Sequence, residues 1–198
     1  NMVWAIPGLR KDKTITGRLK LSGIIQSDFL KDSRILPQMT GTLNVMVDKG
    51  KLLRFTVLSK ILSIINLPRL FQMDIPDPLS KGMPFDAITA TLKVDKGVFS
   101  TDDFLLKSSA MYLTAAGNID TVNETIDFTS GVQVLPAITK LIGNIPIAGN
   151  ILLGEDSSIT AGYFQIKGDL YNPGVKPMPL KSINKALLNT LENIFSIP

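Results

Sequence analysis

The order of apolar and polar residues is most regular between Thr40 and Lys107, where it predicts repeated strands with one apolar helix between them. The run Thr40 to Gly50 alternates apolar and polar residues and returns in shorter form at Thr89 to Gly97. Such alternation is typical of a strand with one buried face. Each run ends in Asp-Lys-Gly, which predicts a turn because Gly accepts positive φ and Asp bonds its own backbone. The sequence therefore predicts two hairpins, the first turning at Gly50 and the second at Gly97.

An apolar segment from Thr56 to Leu67 separates the two predicted hairpins and has the period of a helix. Polar residues form only a narrow stripe along it, made of Ser59, Lys60, Ser63 and Asn66. A helix of this kind is covered on more than one side or faces lipid, and the sequence leaves both arrangements open. A Pro-rich loop is predicted to follow it as far as Gly82.

Further alternating segments extend the predicted sheet at 14–21, 98–107, 111–119, 126–134 and 163–170. The turns between them are short, which favours an antiparallel meander. A slip of one residue would exchange the two faces of every strand, so the apolar pattern also fixes the predicted register.

Two more helical segments are predicted after this sheet region. Pro136 opens an apolar one, and residues 180–198 form a C-terminal amphipathic helix behind a linker stiffened by Pro177 and Pro179. The apolar side of the C-terminal helix contains Ile183, Leu187, Leu191 and Phe195. Two roles stay open for this helix, which either caps the open end of the sheet or faces a membrane or partner.

These elements predict an α+β fold that is mainly β. We expect a curved antiparallel β-sheet, shaped as a groove or a partly open barrel, with two to three apolar or amphipathic helices. The 198 residues suffice for one domain, and we expect 1–198 to be a fragment of a longer chain, since it starts at Asn1 without a signal peptide.

Composition narrows the function classes. Charged residues make up 19% of the chain, below the roughly 25% usual in globular domains, whereas hydrophobic residues make up 44%. The net charge is +4, but Lys and Arg are scattered singly, so we expect no nucleic-acid partner.

The chain contains no Cys and no His, which excludes thiol chemistry and removes the commonest general base. The adjacent Asp102 and Asp103 would point to opposite faces of a strand, which favours a solvated hairpin over a catalytic pair. We therefore expect a protein that is not an enzyme and that uses no cofactor or metal.

Two stretches carry a family resemblance, GKLLRFTVLSKILSIINLPRLF and GMPFDAITATLKVDKGVFSTDDFLLKSSAMYLTAAGNID. From Thr40 to Pro179 the chain resembles the C-terminal region of the AsmA family of bacterial envelope proteins. The resemblance implies a non-enzymatic domain within a long apolar β-groove for phospholipid transport between the inner and outer membranes. It also implies the periplasm of a Gram-negative bacterium, a parent chain anchored in the inner membrane, and preceding repeats of the same chain as neighbours.

The apolar face of the predicted sheet is then the candidate groove for phospholipid acyl chains, with a membrane surface as a further partner. Its predicted residues are Leu43, Val45, Val47, Ile88, Leu92, Val94, Leu113, Ile126, Phe128, Phe164 and Ile166. The alternative function is a periplasmic scaffold or assembly factor for outer-membrane biogenesis, whose sheet is filled by its own helices. The two functions differ in whether this face is open.

Overall fold

The computed structural model describes residues 15–27, 36–53, 56–64, 82–135, 160–183 and 185–195. Eight strands form one antiparallel sheet in chain order. They are β1 (Arg18–Gln26), β2 (Thr40–Leu52), β3 (Met83–Asp95), β4 (Val98–Lys107), β5 (Met111–Asp120), β6 (Thr125–Val134), β7 (Thr160–Asp169) and β8 (Gly174–Met178). The helices are α1 (Thr56–Ile64) and α2 (Lys185–Phe195), and short 3-10 turns lie at Leu36–Gln38 and Leu180–Ser182. The predicted curved, open and mainly β architecture is confirmed.

The meander from β3 to β6 follows the predicted pattern closely. The turn at Asp95-Lys96-Gly97 is confirmed, with φ of +48° at Lys96 and +85° at Gly97. The next turn is held by Asp120, whose Oδ1 accepts the N–H groups of the two residues that follow Thr121, each at 2.9 Å. Side chains at these positions therefore stabilise the hairpins locally, as the sequence pattern indicates.

The first predicted hairpin is wrong, because β2 continues through Asp48-Lys49-Gly50 to Leu52. Lys49 has a φ of +45°, so both Asp-Lys-Gly copies contain a left-handed lysine. Here, however, the Thr16 N–H donates to the Lys51 carbonyl at 2.9 Å, and the Lys51 N–H donates to Thr16 Oγ1 at 3.0 Å. These bonds hold the chain in the sheet, so the motif makes an irregularity within a long strand instead of a turn.

The ends of the sheet also differ from the prediction. The first strand begins at Arg18 and extends to Gln26, later than the predicted 14–21, while Ile15 forms an isolated bridge with Leu52. The predicted Pro-rich linker is partly wrong, because Pro177 belongs to β8 and pairs with Phe164. Proline lacks an N–H donor and is tolerated on an edge strand such as this one.

Helix α2 begins at Lys185, five residues later than predicted. The Pro-rich loop before Gly82, the end of the segment at Thr56 to Leu67 and the apolar segment from Pro136 lie outside the described residues. Within the described ranges, no helix combines the length and the apolar character that crossing a membrane requires.

The sheet has two chemically different faces. We call the inner face the one that carries a row of directly paired residues: Leu19, Val47, Ile88, Leu106, Leu113 and Val132. The outer face carries the neighbouring row: Lys20, Met46, Thr89, Leu105, Thr114, Gly131, Tyr163 and Met178. Helix α1 packs in the core of the inner face, and α2 lies against the outer face.

Candidate lipid-binding face

The strand register places all eleven predicted groove residues on the inner face. Leu43 lies opposite Leu92, and Phe128 lies opposite Ile166. The rows of paired positions that contain the eleven residues include no charged residue. The inner face is therefore free of charge and mainly apolar across the sheet, with Thr101 and Ser130 as buried polar side chains.

The paired charges of the described strands lie on the opposite side of the sheet. The ion pairs found among the described residues join Lys20 to Asp48, Lys93 to Asp102 and Lys167 to Asp127. All six side chains belong to outer-face positions or, for Asp102, reach an outer-face partner. A face without charges avoids the desolvation cost that a bound acyl chain would otherwise impose.

Exposure along the inner face is highest at the β1 edge of the sheet and falls to zero at Val132 and Phe164. In the row defined above, the exposed fraction is 47% at Leu19, 8% at Ile88 and 0% at Val132. Leu21, also on β1, is 55% exposed. The inner face is thus accessible mainly on β1 and β2, and its most deeply buried positions lie on β6 and β7.

We call the accessible part the open segment. It consists of Leu19, Leu21, Leu43, Val45, Val47 and Leu92. Each of these side chains is half-buried or exposed, and each is Leu or Val. We call the closed part the covered segment, and it consists of Leu106, Phe128, Val132, Phe164 and Ile166, all buried.

Helix α1 lies over the covered segment. Its buried side chains Leu58, Ile61 and Leu62 belong to the same core cluster as the covered segment. The apolar residues of α1 therefore occupy part of the surface that the sequence assigned to lipid. Of the predicted groove residues, Ile88, Val94, Phe128, Phe164 and Ile166 are already buried in the protein, whereas the other six retain accessible surface.

Helix α2 docks by its apolar side on the outer face. Ile183, just before the helix, is 8% exposed and clusters with Ala116 and Tyr163, and Leu187 packs against the same cluster. Helix α2 therefore covers β4 and β5 on the outer face and does not lie at an open end of the sheet. The side chains of Leu191 and Phe195 lie outside the described residues.

The acidic pair Asp102 and Asp103 forms a β-bulge in β4, not a solvated hairpin. Thr101 pairs with Gly117 and Phe104 pairs with Ala115, so both aspartates lie opposite a single residue of β5. The extra residue breaks the alternation on which the sequence interpretation relied, and both carboxylates reach the outer face. One bonds Lys93, and the other accepts the Thr91 N–H at 2.7 Å.

The environment of Asp103 fixes its charge state. Partial burial raises its pKa, but hydrogen bonds from Thr91 and Thr101 outweigh burial, so the pKa lies below its ordinary value of 3.8. A carboxylate held ionised in this way substitutes for a missing backbone acceptor at the bulge. Its geometry therefore indicates a structural role.

The sequence reasoning missed two parts of this face. Leu19 and Leu21 were identified as one side of a strand but were not assigned to the site, although they are its most exposed members. The alternation of residues 18–26 contains that signal. The cover formed by Leu58, Ile61 and Leu62 was not predictable in position, because helical periodicity does not say which face of a sheet a helix meets.

Comparison with known proteins gives one family. The model of the family described as YhdP protein matches residues 13–175. YhdP proteins form part of the AsmA-like group of bridge-like lipid transfer proteins of the bacterial envelope, so the resemblance is confirmed for the group and not for AsmA itself. No curated protein and no solved structure matches the chain.

Proposed function

Because the chain belongs to the YhdP family of envelope proteins, we propose that its inner face binds phospholipid acyl chains without catalysing a reaction. The observation that carries the proposal is the open segment, a surface of Leu and Val side chains that continues a charge-free sheet face. Acyl chains would lie on this segment, and head groups would stay in water beside β1.

The energetic reason for such a track is the cost of exposing acyl chains. Each methylene group transferred from water to an apolar surface contributes about 0.8 kcal/mol. A phospholipid with two long chains therefore does not leave a bilayer at a useful rate without a partner. A continuous apolar face lowers this barrier, and it requires no cofactor or energy source at the site.

The location and neighbours that fit this role are those of a periplasmic bridge. The edge of β1 that faces away from β2 has no strand partner among the described residues. The apolar side chains of β1 reach this edge of the sheet. We propose that preceding repeats of the same chain continue the sheet there. The opposite edge, β8, is five residues long and contains Pro177, which disfavours further pairing.

The sharpest test compares neighbouring residues of one strand. Leu43 is on the inner face and Asn44 is on the outer face, so Leu43→Glu places a charge on the proposed track and Asn44→Glu does not. Each variant is mixed with liposomes that contain a phospholipid with a photoactivatable acyl chain, and the labelled peptides are identified by mass spectrometry.

We expect labelling of the β2 and β3 peptides in the unmutated 198-residue chain and in the Asn44→Glu variant. In Leu43→Glu this labelling should fall roughly tenfold, because a buried charge is strongly disfavoured in an apolar contact. Equal labelling of the two variants would contradict an acyl-binding inner face. Circular dichroism must show that both variants remain folded.

One observation favours the second function, a periplasmic scaffold or assembly factor. The covered segment is filled by α1, as expected for a sheet closed by its own helix. In that case the unmutated 198-residue chain would be folded but would show no acyl labelling at any peptide.

A further inference from the structure

Helix α1 lies where a bound acyl chain would lie. Its side chains Leu58, Ile61 and Leu62 contact the inner-face core that contains Val132 and Phe164. These side chains are hydrocarbons, as is the acyl chain of a lipid. The covered and open segments are parts of one apolar face, joined through the row that runs from Leu19 to Val132.

The sheet beneath α1 has its own hydrogen bonds. Strands β5, β6 and β7 pair with one another along their full described lengths, and none of these pairings involves α1. The nine described residues of the helix form a segment that is not stable in water without packing. Its position thus depends on apolar contacts that a lipid could replace, and the strand ladder does not depend on the helix.

One polar contact fixes α1 to the sheet. Lys60 Nζ donates to Asn172 Oδ1 at 2.7 Å and to the Pro173 carbonyl at 2.6 Å, in the turn between β7 and β8. That turn is itself rigid, because Asp169 Oδ1 accepts the N–H groups of Tyr171 and Asn172. Among the described residues, the polar contacts recorded between α1 and the sheet are those of Lys60.

The partners of Lys60 make this contact exchangeable. Both acceptors are neutral oxygens, and an ammonium group bonds more strongly to an anionic oxygen than to a neutral one. The phosphate of a phospholipid therefore competes for Lys60 with Asn172 and Pro173. A phospholipid therefore carries both groups that can replace the contacts of α1. Its phosphate can bond to Lys60, and its acyl chains can pack on the covered segment.

We infer that α1 is a displaceable plug, latched by Lys60 to the β7–β8 turn, and that the covered segment beneath it is a second acyl-binding site for phospholipid. The inference rests on the proposed function of the inner face. With the plug seated, the acyl track ends at the open segment. With the plug displaced, it extends to Phe164 and Ile166.

The test uses the absence of cysteine from the chain. The variant Lys60→Cys/Asn172→Cys is crosslinked with a bismaleimide, which locks α1 on the turn. The control variant Asp127→Cys/Lys167→Cys is crosslinked in the same way, and it joins two directly paired outer-face residues without touching α1. The two crosslinked variants and the unmutated chain, called the parent in this experiment, are each mixed with liposomes of phosphatidylethanolamine and phosphatidylglycerol that contain the photoactivatable phospholipid.

We expect the parent and the control to be labelled in β2–β3 and in β6–β7 peptides, and the locked protein to lose only the β6–β7 labelling. In a second variant, Lys60→Met, the latch is removed and the apolar stem is kept. Its β6–β7 labelling should rise on the order of three- to tenfold, the effect of losing the two partly exposed hydrogen bonds of the Lys60 ammonium group.

Each other outcome overturns the inference. Labelling of β6–β7 in the locked protein at the level of the parent would show that lipid reaches these strands without displacement of α1. Labelling of β2–β3 alone in the parent and in Lys60→Met would show that α1 is a fixed stop, and the proposed function would stand. No labelling at any strand would remove both the proposed function and the plug.

Discussion

At the scale of single residues, Asp103 shows how one side chain maintains the sheet that presents the apolar face. Its Oδ1 atom accepts the Thr91 N–H at 2.7 Å and the Thr101 hydroxyl at 2.9 Å. The register between β3 and β4 shifts at this place, so the Thr91 N–H would otherwise lack an acceptor. The carboxylate thus allows β4 to bulge without leaving a backbone group unsatisfied.

Replacing Asp103 with Ala removes this acceptor. We expect the free energy of unfolding to fall by about 1–3 kcal/mol, the cost of an unsatisfied partly buried donor. The matched control is Asp102→Ala, which breaks an exposed ion pair with Lys93 and should change stability by less than about 0.5 kcal/mol. Urea denaturation of the two variants measures both values, and equal losses would contradict the role assigned to Asp103.

The charge of Asp103 also gives a pH dependence. Because hydrogen bonding holds its pKa below the ordinary 3.8, the unfolded chain binds this proton at a higher pH than the folded chain. The stabilisation is therefore complete above pH 3.8 and is lost as the pH falls through the folded pKa. The stability difference between the parent and Asp103→Asn should be constant near neutral pH and shrink at acid pH. A difference that grows on acidification would show that the sign is wrong.

At the scale of elements, the two Asp-Lys-Gly copies show where a sequence pattern stops being sufficient. Both give a left-handed lysine, at Lys49 and at Lys96, and this local conformation follows from the residues themselves. Whether the chain then turns depends on a partner that local sequence does not specify. After the first copy the chain stays in the sheet because Lys51 bonds to Thr16, whereas the second copy forms the hairpin.

The hairpin at Lys96 and Gly97 tests this argument with two adjacent changes of opposite sign. Gly97 has a φ of +85°, and an added Cβ would lie 2.8 Å from Val122 Cγ2, so Gly97→Ala should cost about 1–2 kcal/mol. Lys96 has a φ of +48°, which costs a side chain energy, so Lys96→Gly should be neutral or stabilising by up to about 1 kcal/mol. Thermal unfolding of both variants checks the two signs.

The elements that the sequence predicted best are those whose partners are adjacent in the chain. Strands β4, β5 and β6 pair through short turns, so alternation and turn residues determined them together. The placement of the eleven candidate residues on one face was predicted in the same way, and their contact with lipid stays a prediction. Helix α1 was predicted as a helix, but its seat on the covered segment depends on residues distant in sequence, such as Asn172.

At the scale of the whole molecule, the burial of side chains differs between the two edges of the sheet. Val132, Phe164 and Ser130 are fully buried near one edge, while eight of the nine β1 residues are exposed at the other. Local opening is cheapest where few apolar contacts must be broken. The accessible apolar surface and the least protected strand therefore coincide at β1. This arrangement is expected of an edge strand that pairs with a further strand.

Hydrogen exchange tests this inequality directly. In the 198-residue chain, amides of β1 should exchange fastest among the described strands and those of β6 slowest, because opening of β6 exposes the core. Adding the preceding repeat proposed above should slow exchange in β1 and leave β8 unchanged, since only β1 would gain a strand partner. If β1 stays unprotected in the longer chain, the sheet is not continued at this edge. The acyl track would then begin at Leu19 and Leu21, and the domain would take lipid directly from a membrane or from another protein.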